Sequence, residues 1–182
     1  AYCDTYGTDV KFSGLGGEKL IFTGNFTPEY YNREFAVSGL VELGTRIPFI
    51  YSALKHFKRM ASFGAYDAAV LLDYPDFNMP LAKHLMKCGI PVIYYISPQV
   101  WVWRKSRAEK LKAISSEILT IFPFEKDFYA GRGIDVKYVG HPLIDELNAY
   151  KKRVDLSSIR DEFKISKEQK VIAVLPGSRH GE

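Results

Sequence analysis

From Asp67 to Val139 the chain alternates short apolar runs with stretches of helical spacing. That alternation restricts it to a parallel sheet covered by helices. The runs are Ala68–Leu72, Pro91–Ile96, Ile118–Phe122 and Val136–Val139. Between them, Asn78–Cys88 sets Met79, Leu81, Ala82, Leu85 and Met86 at helical spacing, Trp103–Ile114 reads as a basic amphipathic helix, and Glu125–Ala130 as a short one. Short apolar strands that each lead into a helix make βαβ units. The expected fold class is α/β, a Rossmann-like parallel sheet flanked by helices.

Bulk properties bound the rest. A chain of 182 residues can bury one domain's core. Hydrophobic content of 47%, charged content of 25% and aromatic content of 14% are those of a folded soluble protein, not a disordered one. A net charge of +4 and a pI near 8.9 favour anionic partners such as phosphorylated substrates or an acidic lipid surface. The balance is too weak, unless concentrated, for nucleic acid, and no docking motif for it is present. Cys3 and Cys88 stand far apart with no metal-type spacing, as in a reduced cytosolic protein, although two thiols also allow one disulfide. No apolar run reaches the ~18 residues that span a bilayer, and no signal peptide is visible. The sequence opens on Ala1 rather than Met, so its start is expected to be missing.

The N-terminal part is less regular. Val10–Phe12 reads as a strand, Gly14–Gly17 as a turn, Ser38 as a helix cap, and Pro48 as the first turn of a further helix. Ile47, Ile50, Leu54, Phe57 and Ala61 fall on one helical face, with Lys55, Lys58 and Arg59 elsewhere. That face either packs on the sheet or offers an apolar surface to acyl chains or a membrane interface. Toward the other end, 147–170 is richly charged around Lys151-Lys152-Arg153 and reads as a linker with a surface helix near Ser157–Phe163. Val171–Leu175 reads as a new strand running into Pro176-Gly177-Ser178. Residues 1–168 are thus expected to form one domain, and 171–182 to begin a second.

In open parallel sheets, ligands bind beyond the carboxyl ends of the strands. Asp73 stands at such an end, where a carboxylate can take a proton from a substrate hydroxyl. Asp76, a short turn later, either raises its neighbour's proton affinity or, like Asn78, caps the next helix. Ser97, Gln99, Trp101, Trp103 and Arg104 follow the next strand. Trp101 and Trp103 suit stacking on a sugar or uracil, burying acyl chains, or plain core packing. Arg104 and Arg107 suit bidentate phosphate binding or a solvated helix face, the latter fitting Lys110 and Lys112 better. His141, in Gly140-His141-Pro142, reaches the same rim, for phosphate binding, proton transfer or a structural role. Leu175-Pro176-Gly177-Ser178-Arg179 runs a strand into a small-residue turn suited to an anion. It is not a Walker A loop, and Gly14–Gly17 is not a dinucleotide fingerprint. No His or Cys spacing suggests a metal site, and no cofactor is expected.

Taken together, these segments resemble lipid-A-disaccharide synthase, an inverting glycosyltransferase family of the two-domain GT-B type. The matching pieces are Phe12–Gly17, Ser38–Glu42, Asp73-Tyr74-Pro75-Asp76-Phe77-Asn78, Ser97-Pro98-Gln99-Val100-Trp101-Val102-Trp103-Arg104, Pro123-Phe124-Glu125 with Phe128-Tyr129, Gly140-His141-Pro142, and Leu175–Arg179 with Glu182. They run in the family's order along nearly the whole chain. The Asp73–Asn78 and Ser97–Arg104 pieces are specific; Gly140-His141-Pro142 alone is weak.

The resemblance implies the N-terminal, acceptor-side half of a GT-B enzyme, truncated at both ends. It implies that UDP-2,3-diacylglucosamine is joined to 2,3-diacylglucosamine 1-phosphate, with UDP leaving and a β-1,6 disaccharide forming in lipid A biosynthesis. Asp73 matches the base, and Ser178 and Arg179 match the loop beside the leaving diphosphate. Asn78, Ser97, Gln99, Trp101, Trp103, Arg104, His141 and Glu182 are further expected substrate contacts. The family works peripherally on the cytoplasmic face of the inner membrane. Its opening strand with a Gly/Ser-rich turn is absent here, as is most of its second domain, so these residues alone are expected to be inactive. Two other readings fit the same architecture: a GT-B transferase or epimerase acting on soluble UDP-sugars, and a non-catalytic anionic-lipid-binding module using the Arg104–Lys112 face and the Ile47–Ala61 helix.

Overall fold

The apolar runs of the middle of the chain pair side by side, all parallel. Strands β3 (Ala69–Leu72), β4 (Val92–Tyr95), β5 (Glu117–Thr120) and β6 (Lys137–Tyr138) form a sheet in that order. The computed structural model describes residues 10–31, 40–100, 106–166 and 168–175. These fall into two units, one of the described residues up to His56 and one from Phe57 onward.

In the second unit each strand leads into a helix, as parallel pairing requires. α3 (Pro75–Lys87) follows β3, α4 (Arg107–Ala113) follows β4, and α5 (Pro123–Ala130) follows β5. α3 buries Leu81, Ala82 and Leu85, and α4 buries Ala108 and Leu111. Val92 and Tyr94 of the central strand β4 are fully buried, whereas Val70 and Leu72 of the edge strand β3 are about half exposed. Burial on both faces is therefore a property of the middle of the sheet only.

The first unit holds a smaller parallel pair, β1 (Phe12–Gly16) and β2 (Phe26–Tyr31), joined through the one-turn helix α1 (Glu18–Ile21). Gly14–Gly16 lies inside β1 and is not the expected turn. The register shifts between Gly14 and Leu15, where Gly14 takes a φ of +147°. Gly16 packs directly under the Phe26 ring, which would lie 2.6 Å from an added Cβ. Ser13 donates to Glu29 Oε1 at 2.8 Å, and His56 Nε2 meets Glu29 Oε2 at 2.6 Å, so one carboxylate joins β1, β2 and the following helix. The pair is part exposed, and His56→Ala is expected to lower the unfolding free energy by only about 0.5 kcal/mol, read by urea denaturation.

That helix, α2 (Leu40–Ser62), corrects two expectations. Pro48 lies inside it, not in its first turn, because the helix begins at Leu40; the ring forgoes one backbone hydrogen bond there. The buried face is Ala53, Phe57 and Ala61 rather than the whole expected stripe, since Ile47 is 55% exposed. Phe57 packs edge-on against Phe77. Ser38 lies outside the described residues.

The charged stretch 147–170 is more helical than expected. α6 (Pro142–Lys151) starts before it, with Pro142 at its first position, Asp145 in its first turn and Lys151 in its last, all of which suit a helix and its dipole. α7 (Leu156–Glu162) is close to the expected surface helix. Residues 171–175, expected as a strand, have no sheet pairing among the described residues, and Val171, Ile172, Val174 and Leu175 are exposed. An apolar strand is stable only against a partner.

Candidate functional site

β3 ends at Leu72, and the pairing runs one rung further, with Asp73 N–H donating to Tyr95 O at 3.1 Å. The chain then turns left-handed at two successive side-chain-bearing residues, Asp73 (φ 44°) and Tyr74 (φ 37°). Left-handed backbone costs an ordinary L-residue about 1–2 kcal/mol, so the surroundings must hold it. They do so through main-chain atoms. Asn78 Nδ2 donates to Leu72 O at 2.9 Å and to Asp73 O at 2.8 Å, and the Tyr94 hydroxyl donates to Asp73 O at 2.7 Å. The Tyr74 ring stacks on Phe77 with centroids 5.9 Å apart.

This removes the capping role that the sequence left open for Asp76 and Asn78. Tyr74 occupies the N-cap position, so neither Asp76 nor Asn78 caps the helix. Asp76 lies in the first turn with its side chain 84% exposed, 3.4 Å from Arg107 Nη2. Asn78 is buried, its amide donated back to the strand end. Asp73 itself remains exposed at the carboxyl end of β3.

At the end of β4, Ile96 is also left-handed (φ 60°). Ser97 follows and is 4% exposed. Its hydroxyl donates to Glu125 Oε1 at 2.9 Å and accepts from the Tyr129 hydroxyl at 3.1 Å. Glu125, fully buried, accepts from the N–H groups of Ile121 and Phe122 on its other oxygen, at 3.1 and 2.8 Å. One carboxylate thus ties the ends of β4 and β5 together. Ser97 faces this network and not the open rim, while Gln99 is exposed. Glu125 was absent from the candidate residues, yet Pro123 at the first helical position and Glu125 at the third are a helix-start signature that could have marked it.

Burial is the main cause that pushes the Tyr129 phenol up to about 12, with Glu125 adding to it and the Ser97 hydrogen bond opposing. The sign follows. An unfolded tyrosine ionises near pH 10, so the stabilisation is complete below about pH 10 and is lost as pH rises toward 12. Urea unfolding at rising pH is expected to lose stability across that window, and Tyr129→Phe to flatten the loss.

His141 sits beyond β6 and caps α6: its Nδ1 accepts from Leu143 N–H at 3.2 Å, and its ring lies 5.4 Å from that of Phe122. In the neutral form, an imidazole that accepts at Nδ1 carries its proton on Nε2 and offers a donor there. An open hollow beside it is lined by Tyr95, Val139, Gly140, Pro142, Ile144 and Asp145.

Asp73, Gln99 and His141 therefore all follow carboxyl ends of strands in one sheet, which is where an α/β sheet binds its ligand. Trp101, Trp103, Arg104, Ser178, Arg179 and Glu182 lie outside the described residues. Among the described residues no cluster of three or more His, Cys, Asp or Glu could hold a metal, and no helix is long and apolar enough to cross a membrane.

Residues 3–182 match the family model described as lipid-A-disaccharide synthetase. The lipid-A-disaccharide synthase of Myxococcus xanthus is 38% identical over 174 residues, covering 96% of this chain and 44% of that protein. Those of Syntrophus aciditrophicus and Xanthomonas campestris pv. campestris are 39% and 37% identical, over 95% and 96% of this chain and 44% and 39% of their own lengths. The chain thus spans less than half the length of these curated relatives.

Proposed function

The chain belongs to the lipid-A-disaccharide synthetase family, and on that premise we propose that it carries the acceptor-side half of a glycosyltransferase of lipid A biosynthesis. The observation that carries this reading is Asp73, exposed at the carboxyl end of β3 on a turn that Asn78 and Tyr94 hold through its main chain. The Asp73 carboxylate takes the proton of the acceptor's 6-hydroxyl. The oxygen attacks the anomeric carbon of UDP-2,3-diacylglucosamine, the bond to the diphosphate breaks, and UDP leaves with the electron pair. The product is a β-1,6-linked disaccharide 1-phosphate.

In this reading residues 1–168 form the acceptor-side domain and 171–182 open the nucleotide-sugar domain. Ser178 and Arg179 stand beside the leaving diphosphate, and Gln99, Trp101, Trp103, Arg104, His141 and Glu182 contact the substrates. His141 does so as a donor. Asn78 and Ser97, being buried, serve the site through the backbone and the sheet. The mildly basic chain fits work at an anionic inner-membrane surface on its cytoplasmic side.

The test is disaccharide and UDP formation by the full gene-encoded chain, with diacylated and non-acylated acceptors in parallel. Product from the diacylated pair alone supports the reading. Transfer to the non-acylated acceptor at an equal rate points to a soluble-sugar enzyme and overturns the substrate assignment.

A further inference from the structure

The carbonyl oxygen of Asp73 is gripped from two directions, by Asn78 Nδ2 from α3 at 2.8 Å and by the Tyr94 hydroxyl from β4 at 2.7 Å. We propose that Asn78 and Tyr94 are positioning residues that set the aim of the Asp73 carboxylate by fixing the main chain of its own residue. The proposal rests on the reading of Asp73 as the base.

A short side chain with two torsions reaches only where its Cα–Cβ bond directs it, so the peptide planes on either side decide what an aspartate can touch. Both planes are tied here. The N–H of Asp73 bonds Tyr95 O, its C=O takes both side-chain donors, and Asn78 holds the preceding carbonyl, Leu72 O, as well. The two left-handed residues make this support necessary, because a chain released at that point leaves the conformation. Tyr94 is fully buried and Asn78 is 7% exposed, so their donors serve the Asp73 turn rather than the open rim. Burial first, and then the nearby Asp73 charge, push the Tyr94 phenol above its usual range, so the hydroxyl stays a donor beyond the pH at which a free phenol ionises. A general base works only within hydrogen-bond reach of its proton, and a small misplacement costs rate while leaving binding intact.

The experiment is a double-mutant cycle in the full gene-encoded chain, with Tyr94→Phe and Asn78→Ser each made alone and with Asp73→Asn. Thermal unfolding confirms that each variant folds, and kcat and KM are measured for both substrates. Each single variant is expected to lower kcat about ten-fold with KM within about two-fold, and to lower the residual rate of the Asp73→Asn enzyme less than two-fold. Tyr94→Phe is the gentler change, and it carries the test if Asn78→Ser unfolds. Equal losses with and without Asp73→Asn overturn the positioning role while leaving Asp73 as the base. Unchanged kcat in Tyr94→Phe does the same. Full activity in Asp73→Asn itself removes the base and this proposal with it.

Discussion

Asp73→Asn is expected to lower disaccharide formation by the full gene-encoded chain by about a hundred- to ten-thousand-fold, the range for losing a general base. The amide has the shape of the carboxylate but cannot take a proton. The turn survives the change, because it is held through the carbonyl of residue 73 and not through its carboxylate. Thermal stability should therefore stay within a few degrees while kcat falls, and KM should move little. Asp76→Asn is the natural control. Its side chain is 84% exposed and pairs only loosely with Arg107, so its effect should be under about five-fold. Comparable losses in both variants would assign the base to the pair; an active Asp73→Asn enzyme would remove Asp73 from the chemistry.

Removal of the Glu125 carboxylate is the change expected to cost most in stability. In Glu125→Ala the N–H groups of Ile121 and Phe122 lose their side-chain acceptor beside a fully buried position, and the Ser97 hydroxyl keeps just its longer, 3.4 Å contact to Pro98 O. Buried donors left unpaired cost about 1–3 kcal/mol each, so a total near 3–5 kcal/mol is expected. That is a large share of the ~5–15 kcal/mol that holds a typical domain. Glu125→Gln should cost far less. Its carbonyl can still accept from both N–H groups, and its amide can donate to Ser97 Oγ once that hydroxyl turns. Urea denaturation of the two variants is the measurement. A loss below about 1 kcal/mol in Glu125→Ala would mean that the network does not hold the strand ends.

Much of the sheet was legible because parallel strands announce themselves: Ala69–Leu72, Val92–Tyr95 and Glu117–Thr120 lie within a residue or two of their apolar runs. The position of Asp73 was legible for the same reason, since the end of a strand can be read from where its apolar run stops. Two kinds of feature were hidden. Pro48 and Gly14–Gly16 carry strong local signals that neighbouring structure overrode: a helix that starts earlier, and a strand partner whose Phe26 ring needs the space at Gly16. The stretch around Lys151-Lys152-Arg153 looked like a linker because charge suits a solvated helix as well as a loop.

The sequence by itself determined the alternation of strand and helix, the parallel pairing and the rim on which Asp73, Gln99 and His141 stand, because these depend on hydrophobic period and strand ends. Only the tertiary structure decided what Asn78, Ser97, Glu125, Tyr94 and Tyr129 do. A hydrogen bond between residues 97 and 125, or 73 and 94, joins atoms distant in sequence. Such pairing leaves no periodic trace along the chain; it exists only once the sheet has brought the strand ends side by side.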